Sequence, residues 1–152
     1  MNIKRLLLAI LAGFVFILAS DFLIHGVWLE PDYQATAGMW RSQPEMQARM
    51  PYMTAGQLLA VVCFVGLWAA GLAPHCRGLG CAVGYGLLMG LFEQAMTLIQ
   101  YVVSPLPPEL AAKWFVSGVF QAMLLGVITF GVYKPRVNAG ACVTEIRGSS
   151  HG

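Results

Sequence analysis

Asp21 and His25 stand four residues apart in the stretch LASDFLIHGVWLEPDY, which closes a long apolar run. Four positions are just over one helical turn, so carboxylate and imidazole share a helix face, which Trp28 extends before Pro31 ends it. With Glu93, in a later apolar run, they form a set able to exchange protons or to hold a cation. Desolvation and neighbouring charge act on such groups in opposite senses, which brings proton exchange within reach of ordinary pH. The same side chains suit a metal ion by ligand type, but no pattern such as HExxH accompanies them, and no cofactor is expected.

The segments that must position these groups are unusually apolar. Of the 152 residues, 58% are hydrophobic and 11% charged, too few charges to cover a water-soluble globule of this length. Lipid is the solvent this composition suits. A net charge of +2, with no basic run or stacking motif, gives no reason to expect a nucleic-acid partner. Four apolar runs are long enough to span a bilayer, at about residues 5–29, 54–73, 79–103 and 113–133. All eight prolines fall outside these runs, as four intact helices require. The first run starts with Lys4 and Arg5 like a signal peptide, but its apolar character resumes after Asp21, which favours a retained helix. The expectation is an all-α, polytopic membrane protein: an up-down bundle of four transmembrane helices over residues 1–133, then a flexible tail over 134–152.

Orientation follows from the basic residues. Lys4, Arg5, Arg77, Lys134, Arg136 and Arg147 fall on one side, against Arg41, Arg49 and Lys113 on the other. This bias places both termini in the cytoplasm. Trp28, Tyr52, Tyr101 and Trp114 are expected at the outer interface, and Trp68, Tyr85 and Tyr133 at the inner one. The outer loop at 30–53 is long and amphipathic, with Met39, Met46, Met50, Met53 and Trp40, and is expected to lie on the bundle or at the interface. Its methionines are read as packing residues rather than soft-metal ligands.

Depth along each helix puts the polar residues in one half of the bundle. Asp21 and His25, then Gln57, then Glu93 with Thr97 and Gln100, then Ser117 and Gln121, all fall toward the outer side, while the inner halves are apolar. Such convergence points to a shared polar pocket for a proton, cation or solute. The rival reading is a hydrogen-bonded network that only locks helix register. Ala82, Gly86 and Gly90, and likewise Gly118, Ala122 and Gly126, recur every four residues, which predicts close contact between the third and fourth helices or between copies of the chain.

Cys76 and Cys81 flank the inner loop, Cys63 is within the second helix and Cys142 is in the tail; no CxxC is present, and the topology implies reduced thiols. No phosphate loop, nucleophile elbow or other catalytic motif appears, so an enzyme is disfavoured. Through SDFLIHGVWLEPDY and a long amphipathic outer loop ending in RMPYM, the layout resembles small four-helix proteins of bacterial inner membranes. The expected function is transport or binding of a small solute, proton or cation, with the 30–53 loop as a lid. The alternative is an accessory or assembly subunit, with the bilayer and a membrane-complex partner or a second copy as its contacts.

Overall fold

A computed structural model describes residues 2–76 and 78–133. The expected tail, with Lys134, Arg136, Cys142 and Arg147, and also Arg77, lie outside the described residues. Those described form helices and turns, with no strand among them. Helix α1 (Ile3–Asp21) runs into a π-helical segment (Phe22–Trp28), followed by the short α2 (Glu30–Ala35) and a 3-10 turn (Ala37–Met39). Then come α3 (Gln43–Leu67) with a π-helical end (Trp68–Leu72), α4 (Leu79–Val103) and α5 (Pro108–Val132). Four of these helical stretches are long and apolar enough to cross a membrane: Ile3–Trp28, Gln43–Leu72, Leu79–Val103 and Pro108–Val132.

Two boundaries differ from the sequence expectation. The second long helix begins at Gln43 rather than near Thr54, so Pro51 lies inside it and much of the expected 30–53 loop is helix. A capping box explains the early start: Glu45 accepts from the Ser42 backbone N–H at 3.2 Å and from its hydroxyl at 3.0 Å, with Pro44 in the first turn. Pro51 is tolerated because this part of α3 is exposed, where a freed carbonyl can be solvated. The fourth helix likewise begins at Pro108, not Lys113, because proline suits a first turn that needs no N–H.

Helix α1 packs on α3 on one side and on α5 on the other, and α5 packs along α4. The α4–α5 contact is the close one that the small-residue spacing predicts. A Cβ added at Gly86 would lie 2.6 Å from Met123 Cα, and one at Gly90 would lie 3.0 Å from Val119 Cα. By contrast α3 and α4 do not pack along their length. Tyr85 links them: its hydroxyl donates to the Phe64 carbonyl at 2.6 Å, and its ring lies 4.6 Å from Phe64 and 5.3 Å from Trp68.

Tyr85, Trp68 and Tyr133 are therefore core residues, 6%, 1% and 3% exposed, rather than the inner interfacial belt the sequence suggested. Their rings belong to the buried apolar cluster of a bundle whose outer surface is apolar, with Phe92, Val102 and Val103 among its most exposed residues. Such a surface suits hydrocarbon better than water. A second correction concerns the thiols. The turn after Ala73 brings Cys76 and Cys81 to a Cα separation of 5.9 Å, and they are joined in a disulfide. Cys63 is free and exposed.

The α4–α5 seam should be sensitive to single methyl groups. Gly86→Ala, whose Cβ would meet the Ala122 carbonyl, is expected to destabilise the protein by about 1–3 kcal/mol, read as a lowered melting temperature in detergent. Gly84→Ala, two positions away with open space at its Cβ, should leave it unchanged or slightly raised.

Candidate functional site

Asp21 is the last residue of α1, and its carboxylate receives amides from two other helices. Gln57 Nε2 of α3 donates to Oδ2 at 2.5 Å, and Gln121 Nε2 of α5 donates to Oδ1 at 2.6 Å. Gln121 also donates to Ser20 Oγ at 2.6 Å, while that hydroxyl donates back to the Phe16 carbonyl at 2.7 Å. An ionised carboxylate can only accept, so two amide donors suit its charged form and join α1, α3 and α5 at one level.

Directly after Asp21 the chain widens into π-helical turns, closed by the Leu29 N–H donating to the Ile24 carbonyl at 2.8 Å. Short π-helical segments recur at functional sites. His25, within it, keeps to the cavity side with Asp21. Trp28 does not: it is 53% exposed and lies outside the cavity lining, because the wider turn rotates it away from the face the sequence assigned it.

Helix α2 lies over this end of α1 and α5. Lys113 Nζ meets both Asp32 carboxylate oxygens at 2.8 Å, and Leu29, Leu106 and Leu110 form a small apolar core beneath. Tyr33 sits between His25 and Trp114: Trp114 Nε1 donates to the Tyr33 hydroxyl at 2.9 Å, and that hydroxyl is 2.6 Å from His25 Nδ1. With its oxygen accepting from Trp114, the phenol can donate to Nδ1, a pairing that puts the imidazole proton on Nε2. Trp40 closes the cluster, its ring 5.4 Å from Tyr33 and its Nε1 donating to Thr36 Oγ1 at 2.8 Å.

Beneath this cover lies a cavity of about 270 Å³. Asp21, His25, Gln57, Glu93, Thr97, Ser117 and Gln121 all line it, drawn from all four long helices. Gln100 does not. It sits in the last turn of α4, above the cavity, and its amide donates to Ser104 Oγ at 2.6 Å. Gln94, Trp114 and Gly118 line the cavity without having been singled out as pocket residues. Gln94 accepts from the Thr97 hydroxyl at 2.6 Å and its amide lies against Gly118, where a side chain would have no room. The place of Gly118 in the small-residue repeat signals close approach of a neighbouring helix, and nothing in the repeat marks Gln94 as the residue that fills the space.

Among the described residues, the cavity is lined by two carboxyl groups and by no lysine or arginine. The nearest such cation in α5, Lys113, is paired with Asp32 outside the lining. Gln57 Oε1 is buried without a hydrogen-bond partner. Among the described residues, no three His, Cys, Asp or Glu side chains converge as a metal site would require.

Among the described residues, fold and site together give an all-helical architecture with four helices of membrane-crossing length and an acid-bearing polar cavity between them. No family model matches the chain, and neither a curated protein nor a solved structure matches it.

Burial, reinforced by the negative charge of Asp32 and opposed by the Trp114 hydrogen bond, pushes the Tyr33 phenol up to about 12. A phenol raised above its unfolded value of 10.0 holds its proton more tightly in the folded chain. Its contribution to stability is therefore complete below pH 10 and is lost as pH rises toward 12. The phenolate absorbance difference between wild type and Tyr33→Phe should titrate with a midpoint near 12; a midpoint near 10 would show that Tyr33 is not buried under this cover.

Proposed function

We propose that this is a multi-pass protein of the cell inner membrane with both termini cytoplasmic, whose pocket faces the outer side and binds a proton or small cation for transport. The observation that carries this reading is the pair Asp21 and Glu93 lining one cavity that, among the described residues, no lysine or arginine lines. Asp21 is partly buried and Glu93 exposed, and carboxyl groups on helices of membrane-crossing length are costly and are kept where a proton or cation makes use of them. Tyr33 of α2 is hydrogen-bonded to both His25 and Trp114, which line this cavity, and so ties the cover to the polar groups beneath it.

Reconstituted vesicles with a trapped pH indicator test the reading. The protein should speed proton equilibration after a pH step and take up radiolabelled methylammonium, and Glu93→Gln should slow both by about tenfold or more without a matching loss of melting temperature. Rates equal to those of protein-free vesicles would remove the transport reading. The second reading, an accessory subunit without activity of its own, is favoured by the Gln57–Asp21–Gln121 bonds, which join three helices as structural glue would. It predicts inert vesicles together with a large stability loss in Asp21→Asn.

The orientation rests on the basic residues, while the Cys76–Cys81 disulfide stands at the end assigned to the reducing cytoplasm. After mild reduction of intact spheroplasts, an impermeant maleimide should label Cys76 and Cys81 only once the membrane is broken. Labelling before lysis would invert the topology.

A further inference from the structure

The polar cavity has an apolar floor. Ile17 lies one helical turn further from the α2 cover than Asp21, and Leu125 one turn further than Gln121. Val61 and Phe64 lie one and two turns further than Gln57. Val61, Phe64 and Leu125 belong to the buried apolar cluster, so the cavity ends on core side chains. At the polar level, several hydrogens are already used within the protein. Gln121 donates to Ser20 and Asp21, the Thr97 hydroxyl to Gln94 and the Ser117 hydroxyl to the Lys113 carbonyl. Two acceptors stand unused: Gln57 Oε1 is buried without a partner, and Glu93 makes no hydrogen bond or ion pair among the described residues.

We propose that this cavity binds a compact organic amine, its ammonium held by Glu93 and Gln57 Oε1 and its apolar body against the floor. The inference rests on the cation reading above and names the class of ligand. Unused acceptors call for a donor, and an ammonium brings three N–H groups together with a positive charge. Asp21 adds to the negative field while its own oxygens stay with the two glutamine amides. Volume sets the size of the guest. A cavity of about 150 Å³ already admits benzene. One of about 270 Å³ has room for such a ring and an aminomethyl group. A proton or a bare metal ion would engage the polar level alone and leave the floor without partner atoms. The wall also gives a guest of this size a way in. Ala60 of α3 and Glu93 of α4 line the cavity yet are exposed, and these two helices do not pack on each other along their length.

The test uses the full chain in phosphatidylcholine nanodiscs at constant ionic strength, titrated with benzylamine, methylammonium or benzyl alcohol, with the rise in melting temperature as readout. Benzylamine should stabilise the protein saturably, with a midpoint about tenfold or more below that of methylammonium, since both carry the charge and only one covers the floor. Benzyl alcohol, with the same ring and no charge, should not stabilise it. Glu93→Gln should raise both amine midpoints by about fivefold or more, and it should fold like wild type because Glu93 holds no other group among the described residues. Equal midpoints for the two amines, or benzyl alcohol stabilising as well as benzylamine, would overturn the organic-amine inference. The cation reading would still stand if methylammonium binding weakened in Glu93→Gln. If neither amine stabilises the protein, or neither responds to Glu93→Gln, both fall.

Discussion

The carboxylate of Asp21 is the constraint on which the bundle depends. A carboxyl group at the end of an apolar helix must be satisfied by its neighbours, and here it is satisfied from two directions at once, by amides of α3 and α5. That requirement places α1 between those helices and sets their relative height to within a hydrogen bond. The apolar contacts of Ala9, Val61, Val65 and Leu125 are less particular about register, since sliding one apolar surface over another in an apolar solvent costs little. Asp21 supplies what apolar packing lacks.

The cavity follows from how the other helices close around this point. α4 and α5 approach backbone to backbone because Gly86, Gly90 and Gly126 present no side chain at their contact. This close seam draws α4 toward α5, and α3, held to α1, is left with Tyr85 as its link to α4. A ring of four helices with one tight side and one loose side cannot be filled evenly. The space remaining between Asp21 and Glu93 is the polar cavity, and the space beyond Tyr85 is an apolar groove.

α2 adds a cover whose attachment is electrostatic and aromatic together. The Asp32–Lys113 pair is partly exposed and contributes little by itself. Its neighbours Leu29 and Leu110, only 0% and 1% exposed, and the linked rings of Tyr33, Trp40 and Trp114 give the segment a fixed seat. His25 is thereby tied, through Tyr33, to a segment outside the long helices.

Length, composition and residue order by themselves determined the four long helices, because about twenty consecutive apolar residues have few alternatives to a helix. They also determined that polar side chains gather in one half of the bundle, since depth along a helix is a matter of counting. Hence seven of the eight expected pocket residues do line the cavity, and the glycine repeat does mark the α4–α5 seam. Rotation about each helix axis was beyond counting. It depends on which neighbour satisfies which group, so Gln100 turned to Ser104, Gln94 turned inward against Gly118, and the π-helical turns carried Trp28 out of the lining. Only the tertiary structure could bring residues far apart in the chain together: Lys113 to Asp32, Trp114 to Tyr33, Tyr85 to Phe64, and the two glutamine amides to Asp21. Each of these contacts joins segments that no local periodicity relates, and each depends on helices packing at a particular distance and angle.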